Sequence, residues 1–239
     1  MSEHPTLSDP AVTMELDGGI ATVRIDDGKA NALSHGVLDA LNEAFDIAER
    51  DARVICVVGR PGKFSAGFDL KVMTAGPDQA KELLSKGAEL AMRTYEFPHP
   101  VVFGVTGHAL AMGAIWLLAG DLRIGVDIPS KIGMNEVGIG MPVPRFAVEL
   151  GRDRLSPRHF PHAVGLARIY DPVGAVEAGY LDRVITTPAF EATLHHEASN
   201  LLALHDGAFR ATRRTQRGAV AQLLRDGLAA DVAEFFVAG

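Results

Sequence analysis

The sequence predicts an α/β fold in which buried strands alternate with crossover helices. Three observations support this prediction. The runs "VICVVG" at residues 54–59 and "VVFGV" at residues 101–105 are short, continuous and apolar, which is typical of strands buried on both faces. A glycine-rich stretch follows each run, and a segment with helical spacing of apolar residues follows each glycine-rich stretch. This unit repeats roughly every 50 residues, as expected of a parallel sheet with crossover helices.

The N-terminal elements are a hairpin and a capped helix. "VTMEL" and "IATVRI" alternate apolar and polar residues on either side of Asp17-Gly18-Gly19, and this pattern predicts a β-hairpin. Ser34 precedes a segment whose apolar residues keep helical spacing until about Arg50. We therefore expect Ser34 to be the N-cap of a helix.

The central elements alternate in the same way. The stretch "GKFSAGFDL" at residues 62–70 is a permissive turn, either a plain loop or backbone that approaches a ligand. Residues 78–97 have helical spacing and stop at Pro98 and Pro100. "TGHALAMG" is predicted to be a second turn of small residues, "AIWLLAGD" an apolar helix, and "LRIGV" and "SKIGM" short strands. After Pro188 the pattern is helical, so we expect a core at residues 1–187 and a helical region at residues 188–239.

The composition excludes several classes of protein. The chain has 239 residues and a net charge of −7, which argues against a protein that binds duplex nucleic acid. The N-terminal "MSEHPTLSDP" lacks a signal pattern, and no window has the length and hydropathy of a membrane span, so we expect a cytoplasmic protein. The single cysteine, Cys56, is predicted to be a buried hydrophobe. The pair His195-His196 lies in a helical run and is predicted to be exposed.

Two strands end in glycine-rich turns, and these turns are the first candidates for a site. In α/β sheets, ligands bind at the carboxyl ends of strands, and a turn that enters a helix presents unpaired N–H groups. Two adjacent turns would aim two N–H groups at one oxygen, as in an oxyanion hole, although strand-glycine-helix junctions without any ligand are common. Neither turn has phosphate-loop spacing, no Cys/His cluster points to a metal, and Ser65 lacks the G-x-S-x-G context of a hydrolase nucleophile.

Four stretches, taken together and in order, resemble the enoyl-CoA hydratase/isomerase (crotonase) superfamily. They are "GKFSAGFDL", "PVVFGVTGHALAMGAIWLLAGDLRI", "IGMNEVGIG" and "AVEAGYLDRVI". The resemblance runs from about Val12 to Ile185. It implies a spiral of β-β-α turns with C-terminal helices that build a homotrimer or a hexamer. It also implies an acyl-CoA substrate, with coenzyme A as part of that substrate and no separate cofactor.

The resemblance also implies roles for particular residues. The thioester oxygen is expected between the backbone N–H groups of Phe68 and Met112, which form the oxyanion hole. The pantetheine arm is expected along the first turn, at Ser65, Ala66, Gly67, Phe68 and Asp69. The family usually has three glycines at the second donor, where this chain has Ala111-Met112-Gly113. A backbone donor needs its backbone angles rather than a particular side chain, and an unusual φ at position 112 would cost methionine more than glycine.

The carboxylates distinguish branches of the superfamily. Hydratases use two glutamates, and Ile115 stands at the position of the first, so that acid is lost. Glu136 stands after the "IGMN" strand, which resembles the single-glutamate Δ3,Δ2-enoyl-CoA isomerase branch. The apolar residues around Glu136 are expected to raise its pKa and suit it to act as a base. The alternative role for Glu136 is an acid that stabilises a helix N-terminus, and Asp121 is predicted to be structural.

Three functions stay open at this point. The first is an enoyl-CoA isomerase of fatty-acid metabolism with Glu136 as the single base, the second is an enoyl-CoA hydratase, and the third is an acyl-CoA binder with little catalysis. Four arginines share one helical face, and they form either a solvated face or a contact to the CoA phosphates. They are Arg210, Arg213, Arg214 and Arg217. Lys29 and Lys63 are weaker candidates for the same contact.

Overall fold

The computed structural model of the protein describes residues 2–235. The predicted N-terminal hairpin forms one edge of its six-stranded main sheet. The strands are β1 (Val12–Asp17), β2 (Ile20–Ile25), β3 (Ala32–Leu33), β4 (Val54–Gly59), β5 (Gly62–Ser65), β6 (Gly67–Phe68), β7 (Val101–Val105), β8 (Gly107–Leu110), β9 (Leu122–Val126), β10 (Ile132–Gly133) and β11 (Arg183–Ile185). The helices are α1 (His35–Asp51), α2 (Leu70–Met73), α3 (Pro77–Glu96), α4 (Met112–Leu117), α5 (Arg145–Arg154), α6 (Phe160–Val164), α7 (Pro172–Ala178), α8 (Phe190–Leu202) and α9 (Asp206–Glu234).

The main sheet has the order β1-β2-β4-β7-β9-β11. The β1–β2 pair is antiparallel, and the pairs that follow it are parallel. Every residue of β4 and β7 is buried, as their continuous apolar sequences predict. Ser34 caps α1, and its side chain accepts a hydrogen bond from the Val37 N–H. The predictions of the hairpin, the capped helix and the two buried strands are therefore confirmed.

Three successive turns of the chain have the same plan, which confirms the predicted α/β spiral. Each turn runs from a strand of the main sheet to a strand of a smaller sheet and then to a helix. The turns are β4-β5-α3, β7-β8-α4 and β9-β10-α5. The smaller sheet has the order β10-β8-β5 and is parallel throughout. Its three strands therefore end at one edge, where the chain passes from sheet to helix.

The smaller sheet corrects two sequence predictions. The stretches at residues 62–70 and 106–113 were predicted to be turns, but each contains a strand of this sheet, β5 and β8. A further short strand, β6, pairs with β3. These strands have two to four residues and are rich in glycine, so their own propensity for extended structure is weak. Pairing with distant strands, which the local sequence does not encode, makes them extended.

The two C-terminal helices pack on different parts of the core. Helix α8 buries Phe190, Leu194 and Ala198 against one face of the main sheet, where Cys56 also lies. Helix α9 packs along α3 and α5. The prediction that Cys56 is buried is confirmed, and burial raises the pKa of its thiol to about 12. Residues 236–239 of the predicted C-terminal region lie outside the described residues.

Both interpretations of the arginine-rich face are wrong for Arg213 and Arg217. These two side chains are buried, and both bind the carboxylate of Asp121, with Arg217 Nη2 2.7 Å from Asp121 Oδ1. Arg217 also donates to the carbonyl oxygen of Tyr95 at 2.8 Å, and Arg213 to that of Phe97. The cluster fixes α9 to the end of α3 and α4, which makes Asp121 structural, as predicted.

No helix between residues 2 and 235 combines the length and the apolar character needed to cross a bilayer. His195 and His196 are exposed, as predicted.

Candidate functional site

A cavity of about 480 Å³ lies where the three strands of the smaller sheet end. The residues that follow β5, β8 and β10 all contribute to its wall, because parallel strands deliver their carboxyl ends to one edge. The wall is mostly apolar. It is lined by Ala30, Ala32, Ala66, Phe68, Asp69, Leu70, Lys71, Met73, Leu84, Ala111, Met112, Ile115, Asn135, Glu136, Ile139, Met141, Pro144, Phe146 and Phe235.

The two glycine-rich stretches contact each other backbone to backbone at this edge. Gly67 has φ +92°, and a Cβ built on it would lie 3.2 Å from the Met112 nitrogen and 3.0 Å from the Leu110 oxygen. Only glycine combines this φ with so close an approach. The residue after Gly67 is Phe68, so the amides of Phe68 and Met112 belong to adjoining segments of backbone.

The direction of the Phe68 amide follows from the pairing of β6. The Asp69 N–H donates to the Leu33 oxygen of β3 at 3.1 Å. Neighbouring amides of extended backbone point to opposite sides, so the Phe68 N–H points away from β3. Met112 is the first residue of α4, where an N–H has no acceptor within the helix. Neither amide therefore completes the hydrogen bonding of the β3–β6 pair or of α4.

The unusual backbone conformation in the second turn lies at Ala111, one residue before Met112. Ala111 has φ +49° and ψ −128°, whereas Met112 is helical. A non-glycine residue in this region of φ/ψ costs on the order of 1–3 kcal/mol. Met112 therefore does not bear the cost of an unusual φ, because the chain makes its sharp turn before this residue and enters the helix with it.

The side chains of the two donor residues are turned toward α3. A Cβ built on Gly87 of α3 would lie 2.4 Å from two ring atoms of Phe68 and 3.6 Å from the terminal methyl of Met112. Gly87 therefore provides the space for the phenyl ring, and the methionine chain packs beside it.

Glu136 is the buried carboxylate of the cavity. It is 5% exposed and precedes a short 3-10 turn at Val137–Ile139, whose amides its side chain does not cap. Burial raises the pKa of Glu136 to about 7, which confirms the predicted direction. Its Oε2 atom is buried and has no hydrogen-bond partner among the described residues.

Ile115 lies in the same wall as Glu136, three residues after Met112, and is 2% exposed. The other carboxylate of the wall, Asp69, accepts a hydrogen bond from the Lys71 N–H at 2.8 Å as the N-cap of α2. Of the two acids in the wall, Glu136 is the one whose carboxylate has no role in capping a helix.

Ser65 and Gly67 shape the first turn without lining the cavity. The Ser65 hydroxyl is buried, donates to the Asn31 oxygen at 2.8 Å and accepts from the Gly67 N–H at 3.2 Å. Ala66, Phe68 and Asp69 do line the wall. Of the residues expected along the pantetheine arm, Ser65 thus has a structural role in the turn.

Two polar residues of the wall were missed in the sequence. Asn135 lines the cavity beside Glu136, and its buried Oδ1 has no partner among the described residues. Lys71 is exposed and also lines the cavity, whereas Lys29 and Lys63 do not. Only their positions in the sequence could have indicated that Asn135 and Lys71 belong to the site. Asn135 adjoins the predicted base, and Lys71 follows the predicted pantetheine segment by two residues.

Comparison with known proteins identifies the family. The family model described as enoyl-CoA hydratase/isomerase matches residues 15–235. The chain belongs to this family. The structure of an enoyl-CoA hydratase/isomerase family protein from Pseudomonas syringae has a TM-score of 0.93 and 38% identity, and the match covers 95% of this chain and 98% of that one.

Further relatives carry both activity names of the enoyl-CoA hydratase/isomerase family. The structure of human mitochondrial Δ3-Δ2-enoyl-CoA isomerase has a TM-score of 0.89 and 28% identity, and the match covers 93% of this chain and 89% of that one. A probable enoyl-CoA hydratase from Bacillus subtilis is 33% identical over 171 residues, which span 70% of this chain and 62% of that relative. These findings confirm the family and the fold that the motifs predicted.

Proposed function

We propose that this protein is an enoyl-CoA isomerase of fatty-acid metabolism that converts 3-enoyl-CoA to 2-enoyl-CoA, with Glu136 as its single base. One observation carries the proposal: a buried carboxylate without a structural partner shares the cavity with both donor turns, and Ile115, which the family resemblance places at the position of the other hydratase glutamate, lines the same cavity. A single carboxylate suffices for a proton shift between two carbons of one substrate, because the proton removed is the proton returned.

The reaction follows from the expected placement of the thioester. Its oxygen accepts hydrogen bonds from the Phe68 and Met112 amides, and Glu136 removes a proton from C2. The electron pair moves into the thioester, so the negative charge of the dienolate develops on the oxygen, where each amide contributes about 3 kcal/mol. Return of the proton to C4 leaves the double bond between C2 and C3 and restores the carboxylate.

The environment of Glu136 suits it to this step. A base with a pKa of about 7 is substantially ionised at neutral pH and is strong enough to compete for a carbon-bound proton once the oxyanion is stabilised. The apolar wall keeps bulk water from the dienolate, which favours return of the proton to carbon. Lys71 at the wall supplies a positive charge for the anionic part of coenzyme A.

Hydration of 2-enoyl-CoA is the second candidate. The name of the Bacillus subtilis relative and the unpaired Oδ1 of Asn135 beside Glu136 favour it, because an amide and a carboxylate together could hold a water molecule. The oligomer that the family resemblance implies, a trimer or a hexamer, is also a proposal and is measured by sedimentation.

One assay separates the candidates. The protein is incubated with 3-enoyl-CoA and, separately, with 2-enoyl-CoA, and conjugation of the double bond with the thioester is followed by absorbance. We expect 3-enoyl-CoA to be converted, with a loss of about 100- to 10,000-fold in Glu136→Gln. Glu15→Gln, an exposed glutamate on β1, is the matched control and keeps full activity.

Binding completes the test. Glu136→Gln should still bind a saturated acyl-CoA, since the change keeps the shape of the side chain. Hydration of 2-enoyl-CoA that survives Glu136→Gln contradicts the single-base mechanism. Tight acyl-CoA binding with neither reaction in the unaltered protein identifies a binding protein instead.

A further inference from the structure

The end of α9 contributes an aromatic ring to the cavity wall. Phe235, the residue that follows α9, lines the cavity together with Pro144 and Phe146 at the start of α5. Its ring is half-buried and packs against the hydrophobic core. Helix ends fray unless other contacts hold them, so the shape of this wall depends on what fixes the last turn of α9.

A buried carboxylate holds this helix end in place. Asp231 of α9 is 6% exposed, and its two carboxylate oxygens accept hydrogen bonds from the Arg145 and Phe146 N–H groups at 2.8 and 2.9 Å. These are the first two amides of α5, which have no acceptor within that helix. The side chain of Pro144 before them cannot accept a hydrogen bond, so α5 obtains its N-terminal cap from α9.

Two further contacts hold the same turn of α9. Lys81 of α3 donates from Nζ to the Ala233 carbonyl oxygen at 3.1 Å. Arg145 Nη2 of α5 lies 2.8 Å from Glu234 Oε2, although this ion pair is exposed and contributes little stability by itself. The turn is therefore held between α3 and α5, and its strongest contact is the buried pair of charge-assisted hydrogen bonds made by Asp231.

Helix α3 connects the end of α9 to the donor turns. Gly87 of α3 contacts the ring of Phe68 and the terminal methyl of Met112. Leu84, a buried residue of the cavity wall, lies one turn before Gly87, and Lys81 lies one turn before Leu84. Residues at this spacing share one face of a helix. This face therefore runs from the proposed oxyanion hole, past an apolar wall, to the end of α9.

We propose that Phe235 is a specificity-determining residue that limits the length of the alkyl chain that the cavity accepts, and that Asp231 is the residue that positions it. A thioester at the donor turns directs an aliphatic acyl chain along Leu84, where each buried methylene adds affinity. The ring of Phe235 ends this path. The substrate class, enoyl-CoA thioesters with aliphatic chains up to this limit, rests on the proposed function, whereas the limit itself is a property of binding.

Binding of saturated acyl-CoA esters tests the limit without turnover. Calorimetry compares straight-chain esters of increasing length, from butanoyl-CoA upward. We expect the affinity of the unaltered protein to rise about fourfold per methylene and then to level off. In Phe235→Ala the rise should continue, so an ester two methylenes beyond the original limit should bind about 15-fold more tightly than to the unaltered protein.

A larger ring and a matched control complete this series. Phe235→Trp should move the limit to shorter chains, because its ring is larger. Leu223→Ala changes an exposed apolar residue of α9 that does not line the cavity, and it should keep the original limit. The same limit in Phe235→Ala as in the unaltered protein, or no limit in the unaltered protein, overturns the proposal.

Asp231→Asn tests the positioning role. Asparagine keeps the shape of the side chain, but its Nδ2 cannot accept a hydrogen bond, so one bond to α5 is lost. We expect the limit to move to longer chains while the affinity for butanoyl-CoA stays unchanged, a selective effect that general destabilisation does not produce. Asp226→Asn, at an exposed acid of α9, is the matched control.

A double variant shows whether the carboxylate acts through the ring. Asp231→Asn combined with Phe235→Ala should move the limit no further than Phe235→Ala alone. Additive shifts, or no shift in Asp231→Asn, contradict the positioning role. A limit that moves in Phe235→Ala although 3-enoyl-CoA is not converted defeats only the proposed function. Conversion of 3-enoyl-CoA with an unmoved limit defeats only this inference.

Discussion

Replacing Glu136 with glutamine should stabilise the protein, and the gain should grow with pH. In the unfolded chain this glutamate loses its proton near the ordinary pKa of 4.5, whereas in the folded protein burial raises the pKa to about 7. The folded state therefore binds more protons between these two values. The free energy of unfolding falls as pH rises through this window, because ionisation favours the unfolded chain. A glutamine of the same shape does not ionise and does not lose this stability.

The magnitude follows from the difference between the two pKa values. The difference between 7 and 4.5 is 2.5 units. At 1.36 kcal/mol per unit, full ionisation of Glu136 costs about 3 kcal/mol of folding free energy. From about pH 5 to about pH 8.5, the stability of Glu136→Gln relative to the unaltered protein should increase by about 2.5 kcal/mol.

Denaturant unfolding at several pH values measures this difference without any substrate. Both proteins share every other titrating group, so their difference isolates Glu136. The exposed glutamate in Glu15→Gln is the control, and its difference from the unaltered protein should stay within about 0.5 kcal/mol at every pH. A flat difference for Glu136→Gln would show that the carboxylate is not desolvated, and the argument for a base tuned to neutral pH would fail with it.

Three further predictions test the structure around the site. Asp121→Ala should lower the free energy of unfolding by about 3–5 kcal/mol, as measured with denaturant, because it leaves two buried guanidinium groups without a carboxylate. Glu96→Ala breaks an exposed ion pair and should cost at most about 1 kcal/mol, so equal costs for the two variants would contradict the buried cluster. Ala111→Gly should stabilise the protein by about 1 kcal/mol, because glycine adopts the positive φ without strain, and Ala114→Gly within α4 should destabilise it by at least as much. If both changes shifted the free energy of unfolding in the same direction, Ala111 would not be strained. Burial raises the pKa of the Cys56 thiol to about 12, so at about pH 8 Cys56 should react with iodoacetamide roughly 1,000-fold more slowly in the folded than in the unfolded protein. Mass spectrometry follows the reaction, and similar rates in the two states would show that the thiol is accessible.

The sequence predicted those elements of the fold whose own residues determine their structure. β4 and β7 are apolar throughout, and α1 has both an N-cap and an apolar face, so local pattern and tertiary structure agree. The strands β5 and β8 are different. They are short and glycine-rich, and they become extended only because they pair with each other across more than 40 residues of sequence. The local sequence of each segment therefore predicts a turn, although in the structure these segments are strands of the smaller sheet beside the cavity.

The burial of charged residues was likewise not predictable from the local sequence. Four arginines on one helical face have the pattern of a solvated surface, and nothing in the local sequence distinguishes Arg213 and Arg217 from Arg214. The structure buries the first two because Asp121 and several main-chain carbonyls converge on that face of α9, while Arg214 remains exposed. A charged side chain is buried only where partners that are distant in sequence pair with it. Those partners determine whether an arginine has a structural role or is free to contact a ligand.

The departure from three glycines at the second donor has a physical explanation in the geometry. A backbone donor needs only a free N–H, and Met112 supplies one as the first residue of α4 with ordinary helical angles. The conformation that favours glycine belongs to the position before it, where Ala111 bears the positive φ with the smallest side chain that is not glycine. The methionine side chain packs toward Gly87, beside the ring of Phe68, so its terminal methyl is accommodated against α3. A large residue at position 112 is therefore compatible with the proposed oxyanion hole, and the proposed single-base site would differ from a two-acid hydratase at Ile115, which has no carboxylate.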